Sequence, residues 1–170
     1  MAIFKVTNNN NNGAGSLRQA IDDAGNTAGV DTIDLTSVSG TINLESSLST
    51  LNTGNDINFV DDGNTIINGQ NAYQIINVYG ANVTFSRLTF ANGLARGSNG
   101  NSNGGGGGLG AGGALFITGG NVTLNNVTFT GNRAIGGNGG EPGVSSGQNN
   151  YNSNVSDGVA GGQGGGLKIM

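Results

Sequence analysis

The chain has 170 residues, 35 of them Gly and 28 Asn, with no Cys, His or Trp, 9% charged residues and a net charge of −4. The missing His and Cys exclude the usual zinc and copper sites, Ser-His-Asp and Cys-His catalysis, and a disulfide framework. Six Lys and Arg are too few for a phosphate-binding footprint, so nucleic acid is not expected as a partner, and no apolar run approaches the ~20 residues of a membrane span. Hydrophobic residues still make up 34% and fall in short β-branched clusters, which favours a packed protein with polar loops over a disordered one.

The opening Met1-Ala2-Ile3-Phe4-Lys5-Val6 has no basic segment followed by an apolar stretch, so no secretory signal is expected. Three readings follow: a cytoplasmic protein, export without an N-terminal signal, or a piece of a longer chain. Ile3 to Val6 reads as a strand and Asn8 to Asn12 as a polar loop. The one helical signal follows. Ser16 can cap it, Leu17, Ala20, Ile21 and Ala24 form an apolar stripe, and Gly25 can stop it.

From about residue 31 the pattern changes to short apolar–polar–apolar clusters, the period of half-buried strands. They fall into three columns. The first holds Ile33, Ile57, Val83 and Val122; the second Ile42, Ile66, Leu88 and Val127; the third Leu51, Ile76, Phe116 and Lys168. A step near 24 residues with three strands per turn is the arithmetic of a three-sided β-solenoid. The best internal match sets Asn82–Phe90 against Asn121–Phe129, at an ungapped offset of 39. It predicts Ile57, Phe59, Val83, Phe85, Leu88, Phe90, Val122, Leu124, Val127 and Phe129 pointing inward. The longer steps place extra residues at one corner, as two Gly-, Asn- and Ser-rich loops at about 91–112 and 130–165. The expected organisation is one all-β domain over 1–170, with a cap over 1–30 and rungs over 31–170. The amphipathic helix would close the exposed first rung. Leu167-Lys168-Ile169-Met170 begins a rung that stays incomplete, so Leu167 and Ile169 are candidate self-association residues, or else Met170 is not the natural end.

Two sets of residues carry a family resemblance. Gly112-Gly113-Ala114-Leu115 with Phe129-Thr130-Gly131-Asn132 resembles the paired GGA(I/L/V) and FxxN motifs of chlamydial polymorphic outer-membrane protein repeats, and Gly165-Gly166-Leu167 looks like the start of a further copy. Gly13 to Ile21, followed by Asp31-Thr32-Ile33 and Gly40-Thr41-Ile42, resembles the N-terminal module of large secreted bacterial β-helix proteins, cyanobacterial ones among them, in the pectin-lyase-like superfamily. The resemblance implies a right-handed parallel β-helix and a surface or extracellular protein, often an adhesin, exported without an N-terminal signal.

That superfamily also contains enzymes, whose sites use clustered carboxylates beside Arg or Lys. The one local pair on a rung is Asp61-Asp62, followed by Gly63. It resembles the paired Asp of polygalacturonases but lacks their His, and Asp-Gly is an ordinary turn. Arg87 has no acidic neighbour in its own rung and reads as a solvated outward side chain. Gly136 to Glu141 approaches a calcium-binding nonapeptide, with Glu in place of Asp and no tandem copy; calcium is the one cofactor the sequence raises, and loop glycine is the simpler reading. The sequons at Asn82, Asn121, Asn126 and Asn154 read as corners followed by strands. The expected function is a non-enzymatic extracellular structural or adhesive module, with further copies of itself, further rungs of the same chain, or polysaccharide as partners. A filament subunit and a non-catalytic fragment of a carbohydrate-active enzyme are the alternatives.

Overall fold

The structure is a computed structural model that describes residues 1–101, 105–140 and, as backbone, 167–169. It is mostly β, with one helix and parallel sheets that do not close. The chain opens with β1 (Ile3–Lys5) and α1 (Leu17–Ala24), then passes repeatedly through three sheets. The first pass is β2 (Gly29–Asp34), β3 (Gly40–Asn43) and β4 (Leu51–Asn52). The second is β5 (Asn55–Val60), β6 (Thr65–Asn68) and β7 (Ile76–Tyr79). The third is β8 (Asn82–Ser86), β9 (Thr89–Ala91), β10 (Leu94–Arg96) and β11 (Leu115–Ile117). The last is β12 (Asn121–Asn125), β13 (Thr128–Thr130), β14 (Arg133–Ile135) and β15 (Leu167–Ile169).

Each strand pairs with its counterpart from the neighbouring pass. Sheet orders are β1-β2-β5-β8-β12, β3-β6-β9-β13 and β4-β7-β11-β15, with β10-β14 as a short fourth sheet. All these ladders are parallel. The offset of 39 between Val83 and Val122, and between Phe90 and Phe129, appears as direct register pairing.

The helix forms as its sequence predicts. Ser16 is the N-cap, and its hydroxyl accepts the Gln19 N–H at 3.2 Å. Leu17, Ala20, Ile21 and Ala24 are all buried in the hydrophobic core, and the helix packs on β1 and β2. Gly25 ends the helix while still right-handed, at φ −62, donating to the Ile21 carbonyl. Its glycine freedom is unused. β1 joins β2 as the outermost strand of the first sheet, so α1 is the crossover between two parallel neighbours.

Inside, strands alternate buried and outward residues. Phe59 stacks on Phe85 at 4.8 Å, Phe85 meets Phe90 edge-on at 5.3 Å, and Phe90 stacks on Phe129 at 5.5 Å. This run of rings links three passes of the chain through the core.

Several sequence expectations are corrected. In the second column Ile42 pairs with Ile67, which is fully buried, whereas Ile66 is partly exposed. A one-residue shift moves a side chain to the opposite face, and two adjacent isoleucines carry no alternation to choose between them. In the first column Ile33 pairs with Phe59, not Ile57. In the third, Leu51 pairs with Val78 and Ile76 with Leu115, so Phe116 faces away from the core. Leu124 stands opposite Phe85 as expected, yet it is 36% exposed, and Val122, Val127 and Phe129 are only half-buried. Nothing among the described residues stacks on them as β12 stacks on β8.

The segment from 91 to 112 is not a plain loop. Its first part forms β10 against β14 at the same offset of 39. Residues 97–101 continue beside 136–140, with Gly97 N–H donating to Ile135 O at 2.8 Å and Gly100 N–H to Asn138 O at 2.8 Å. Residues 105–110 return antiparallel to both: Gly108 N–H donates to Ser98 O, Gly137 N–H to Gly108 O and Gly140 N–H to Gly105 O, at 2.7–2.9 Å. Residues 141–166, which hold most of the second expected loop, lie outside the described residues.

Candidate functional site

Asp61 and Asp62 build a turn. Asp61 is buried; its Oδ2 accepts the N–H groups of Gly63 and Thr65, both at 3.0 Å, and its Oδ1 accepts the Thr65 hydroxyl at 2.9 Å. Asp62 Oδ1 accepts the Asn64 N–H at 3.2 Å. These carboxylates are thus engaged by their own corner. Arg87 is exposed yet tied down: its Nε donates to the Asp61 backbone carbonyl at 2.6 Å. Its φ of 60 is matched one pass later by Asn126 at 54. Both serve the same left-handed corner between the first and second sheets.

The short motifs also acquire physical reasons. Asn132, the last residue of Phe129-Thr130-Gly131-Asn132, accepts the Gly93 N–H at 2.7 Å and donates to the Phe90 carbonyl at 2.9 Å. It closes the corner of the pass below. In Gly112-Gly113-Ala114-Leu115, Ala114 and Leu115 are fully buried, and a Cβ on Gly113 would lie 2.3 Å from the Arg133 carbonyl oxygen. The sequon residues are corner and ladder groups as well. Asn121 Nδ2 donates to Asn82 Oδ1 at 2.8 Å, and Asn82 Nδ2 donates to both Asp56 oxygens at 3.1 Å. Asn68 bridges Asn43 and Asn92 in a second amide ladder.

Among the described residues no group of three or more acidic side chains is placed to hold a metal ion. Gly136 to Gly140 packs in the glycine layer, and Glu141 and Asn154 lie outside the described residues. Of the candidate edge, the backbone of Leu167–Ile169 pairs with Leu115–Ile117 and extends the third sheet by one strand.

The sequence reading missed a cleft of about 480 Å³ on the outer side of the third sheet. Phe116 lies in it because its flanking residues, Leu115 and Ile117, occupy the core. One wall is the corner Tyr73-Gln74 of the second pass. The other is the inserted segment, with Leu94 and Arg96 from β10 and Leu109 from the returning limb. Gln74 ties the walls together, its Nε2 donating to Ala111 O at 2.8 Å and Gly112 O at 2.7 Å. Among the described residues Arg96 is the only charged one in the lining, and it forms no hydrogen bond or ion pair with any of them. Beneath Phe116 its register neighbour Asn77 has a buried Oδ1 without a partner among the described residues.

No family model, no curated protein and no solved structure matches this chain.

Three carboxylates have pKa values held below their ordinary range. For Asp31 the first cause is the Thr27 hydroxyl, then the Ala2 N–H. For Asp34 it is the hydroxyl and N–H of Thr36. For Asp56 it is the backbone N–H and then the side chain of Asn82. Each of these groups donates to the charged form, a pattern that serves folding at turns and ladders.

Proposed function

We propose that the chain is a right-handed, three-sided parallel β-helix of the pectin-lyase-like kind, acting as a non-enzymatic structural or adhesive module outside the cell. The observation that carries the reading is the order of the sheets. In all three, strands from successive passes lie side by side and parallel, and the core runs through the passes as one stripe. The general preference for right-handed crossovers between parallel strands supports the hand. Corners held by Asn, Asp and Gly leave outward faces rich in amides and hydroxyls, suited to hydrogen-bonding a polysaccharide. The engagement of Asp61 and Asp62 by their own turn supports the absence of catalysis.

The test has two arms on the full chain. The first is retention on immobilised acidic and neutral polysaccharides; the adhesive role predicts retention above a charge-matched control protein. The second is turnover of pectin-like polymers with and without calcium. Turnover abolished by Asp61→Asn with Asp62→Asn, and absent from a mock preparation, would replace this reading with the enzymatic one. A second reading, a filament subunit, is favoured by the position of β15 as the outer strand of its sheet among the described residues. Light scattering distinguishes it: association abolished by Leu167→Lys with Ile169→Lys favours the filament.

A further inference from the structure

We propose that the cleft between Tyr73, Phe116 and Arg96 binds a saccharide unit carrying a single acidic substituent. This inference rests on the adhesive reading and gives it a site. The cleft's volume of about 480 Å³ falls within the roughly 300–1,000 Å³ of small-ligand pockets. Two aromatic rings line it, Tyr73 half-buried on one wall and Phe116 half-buried on the floor. Tyr73 packs in part against the hydrophobic core, so the main stacking surface is Phe116, which pairs with no other aromatic ring among the described residues. Aromatic faces suit the C–H faces of a pyranose ring, which offers apolar surface within a polar rim.

Arg96 decides the charge of the ligand. It is exposed, and among the described residues it is unpaired and has no acidic residue beside it in the lining. A guanidinium in that state is a bidentate receptor for a carboxylate or sulfate. The net charge of −4 repels a long polyanion but leaves one local cation to meet one local anion. The tied walls also matter. Gln74 joins the corner to the inserted segment, and β10 is paired with β14, so the site is largely preformed.

The experiment uses the full chain and isothermal calorimetry. The probes are disaccharides ending in glucuronic, galacturonic or N-acetylneuraminic acid, each beside its neutral counterpart. At least one acidic probe is expected to bind ~10-fold or more tightly than its counterpart. Arg96→Gln removes that difference. Phe116→Leu weakens acidic and neutral probes alike, because it removes a stacking face shared by both. Arg96 is exposed, so its variant keeps the parent melting temperature; Phe116→Leu is scored only against its own measured melting temperature, and Tyr73→Phe reads the hydroxyl alone without loss of the ring. No binding by any probe up to about 10 mM, equal affinity within each pair, or indifference to Arg96→Gln each overturns the proposal. If immobilised polysaccharide still retains the Arg96→Gln protein as it does the parent, this site falls and the adhesive reading stands. If no polysaccharide retains the parent, the adhesive reading falls with it.

Discussion

A Cβ on Gly137 would lie 1.8 Å from the carbonyl oxygen of Ser98. The two residues belong to different passes, and their backbones meet with no space for a side chain. Likewise a Cβ on Gly140 would lie 1.6 Å from Asn101 O of the neighbouring pass, and one on Gly97 would lie 2.0 Å from Gly108 O of the returning limb of its own pass. The glycines of the inserted segments therefore pack three backbone limbs against one another, beyond any service to flexibility. Gly137→Ala forces those limbs apart, at a cost on the order of 1–3 kcal/mol by analogy with overpacked cores. Amide exchange should quicken at Gly97, Gly108 and Gly140, whose N–H groups bond within the layer, while Val83 and Phe85 stay protected. Unchanged exchange in the layer would show that the limbs do not depend on this contact.

Phe85 sits between Phe59 and Phe90 and is fully buried. Phe85→Ala removes two ring contacts and leaves a cavity, so the expected loss is about 3–5 kcal/mol. Phe129 is half-buried and stacks on Phe90 alone. Phe129→Ala should therefore lose distinctly less. Urea unfolding of both variants measures the order, and a larger loss at Phe129 would contradict the burial pattern.

Much of this core was legible in the chain. The ungapped match of Asn82–Phe90 with Asn121–Phe129 became the register of β8 with β12 and of β9 with β13. Where alternation is absent the reading failed, as at Ile66-Ile67. The strands β10 and β14 were hidden by composition, since Gly and Asn suggest loops. The signal was nevertheless present: the offset of 39 runs on through Ala95 with Ala134 and Asn99 with Asn138. Asn99 Oδ1 in fact accepts the Asn138 N–H at 3.0 Å. The cleft was not legible. It needs Tyr73, Arg96 and Phe116, far apart in sequence, to be stacked by successive passes, and Phe116 reads as a core residue until its register is known.

Ile21 is 2% exposed, on the helix face that packs over β1 and β2. Ile21→Ala is expected to lose about 2–5 kcal/mol. Ile21→Asp should lose more and promote aggregation, because it places an unpaired charge in the core. Ser16→Ala removes the cap and should lose about 1 kcal/mol. Urea midpoints check all three, and parental values for the two Ile21 variants would mean that the helix contributes nothing to the core.

Acid should weaken the fold in a defined window. Asp31, Asp34 and Asp56 have folded pKa values below those of the unfolded chain, where Asp titrates near ~3.9. A group depressed on folding contributes stability that is fully present above the unfolded pKa. That contribution is lost as pH falls through the folded pKa, because the native state must then take up a proton it holds weakly. Urea midpoints should therefore be level from neutral pH down to about pH 5 and fall below about pH 4. The partners sharpen the test. Thr27→Val removes the hydroxyl that most lowers Asp31, and Thr36→Val the one that most lowers Asp34. Each variant should be less stable at neutral pH, and its loss relative to the parent should shrink as pH falls, since the hydrogen bonds to the charged carboxylates no longer distinguish them. Parallel pH curves for parent and variants would show that these hydroxyls do not lower the folded pKa values of Asp31 and Asp34.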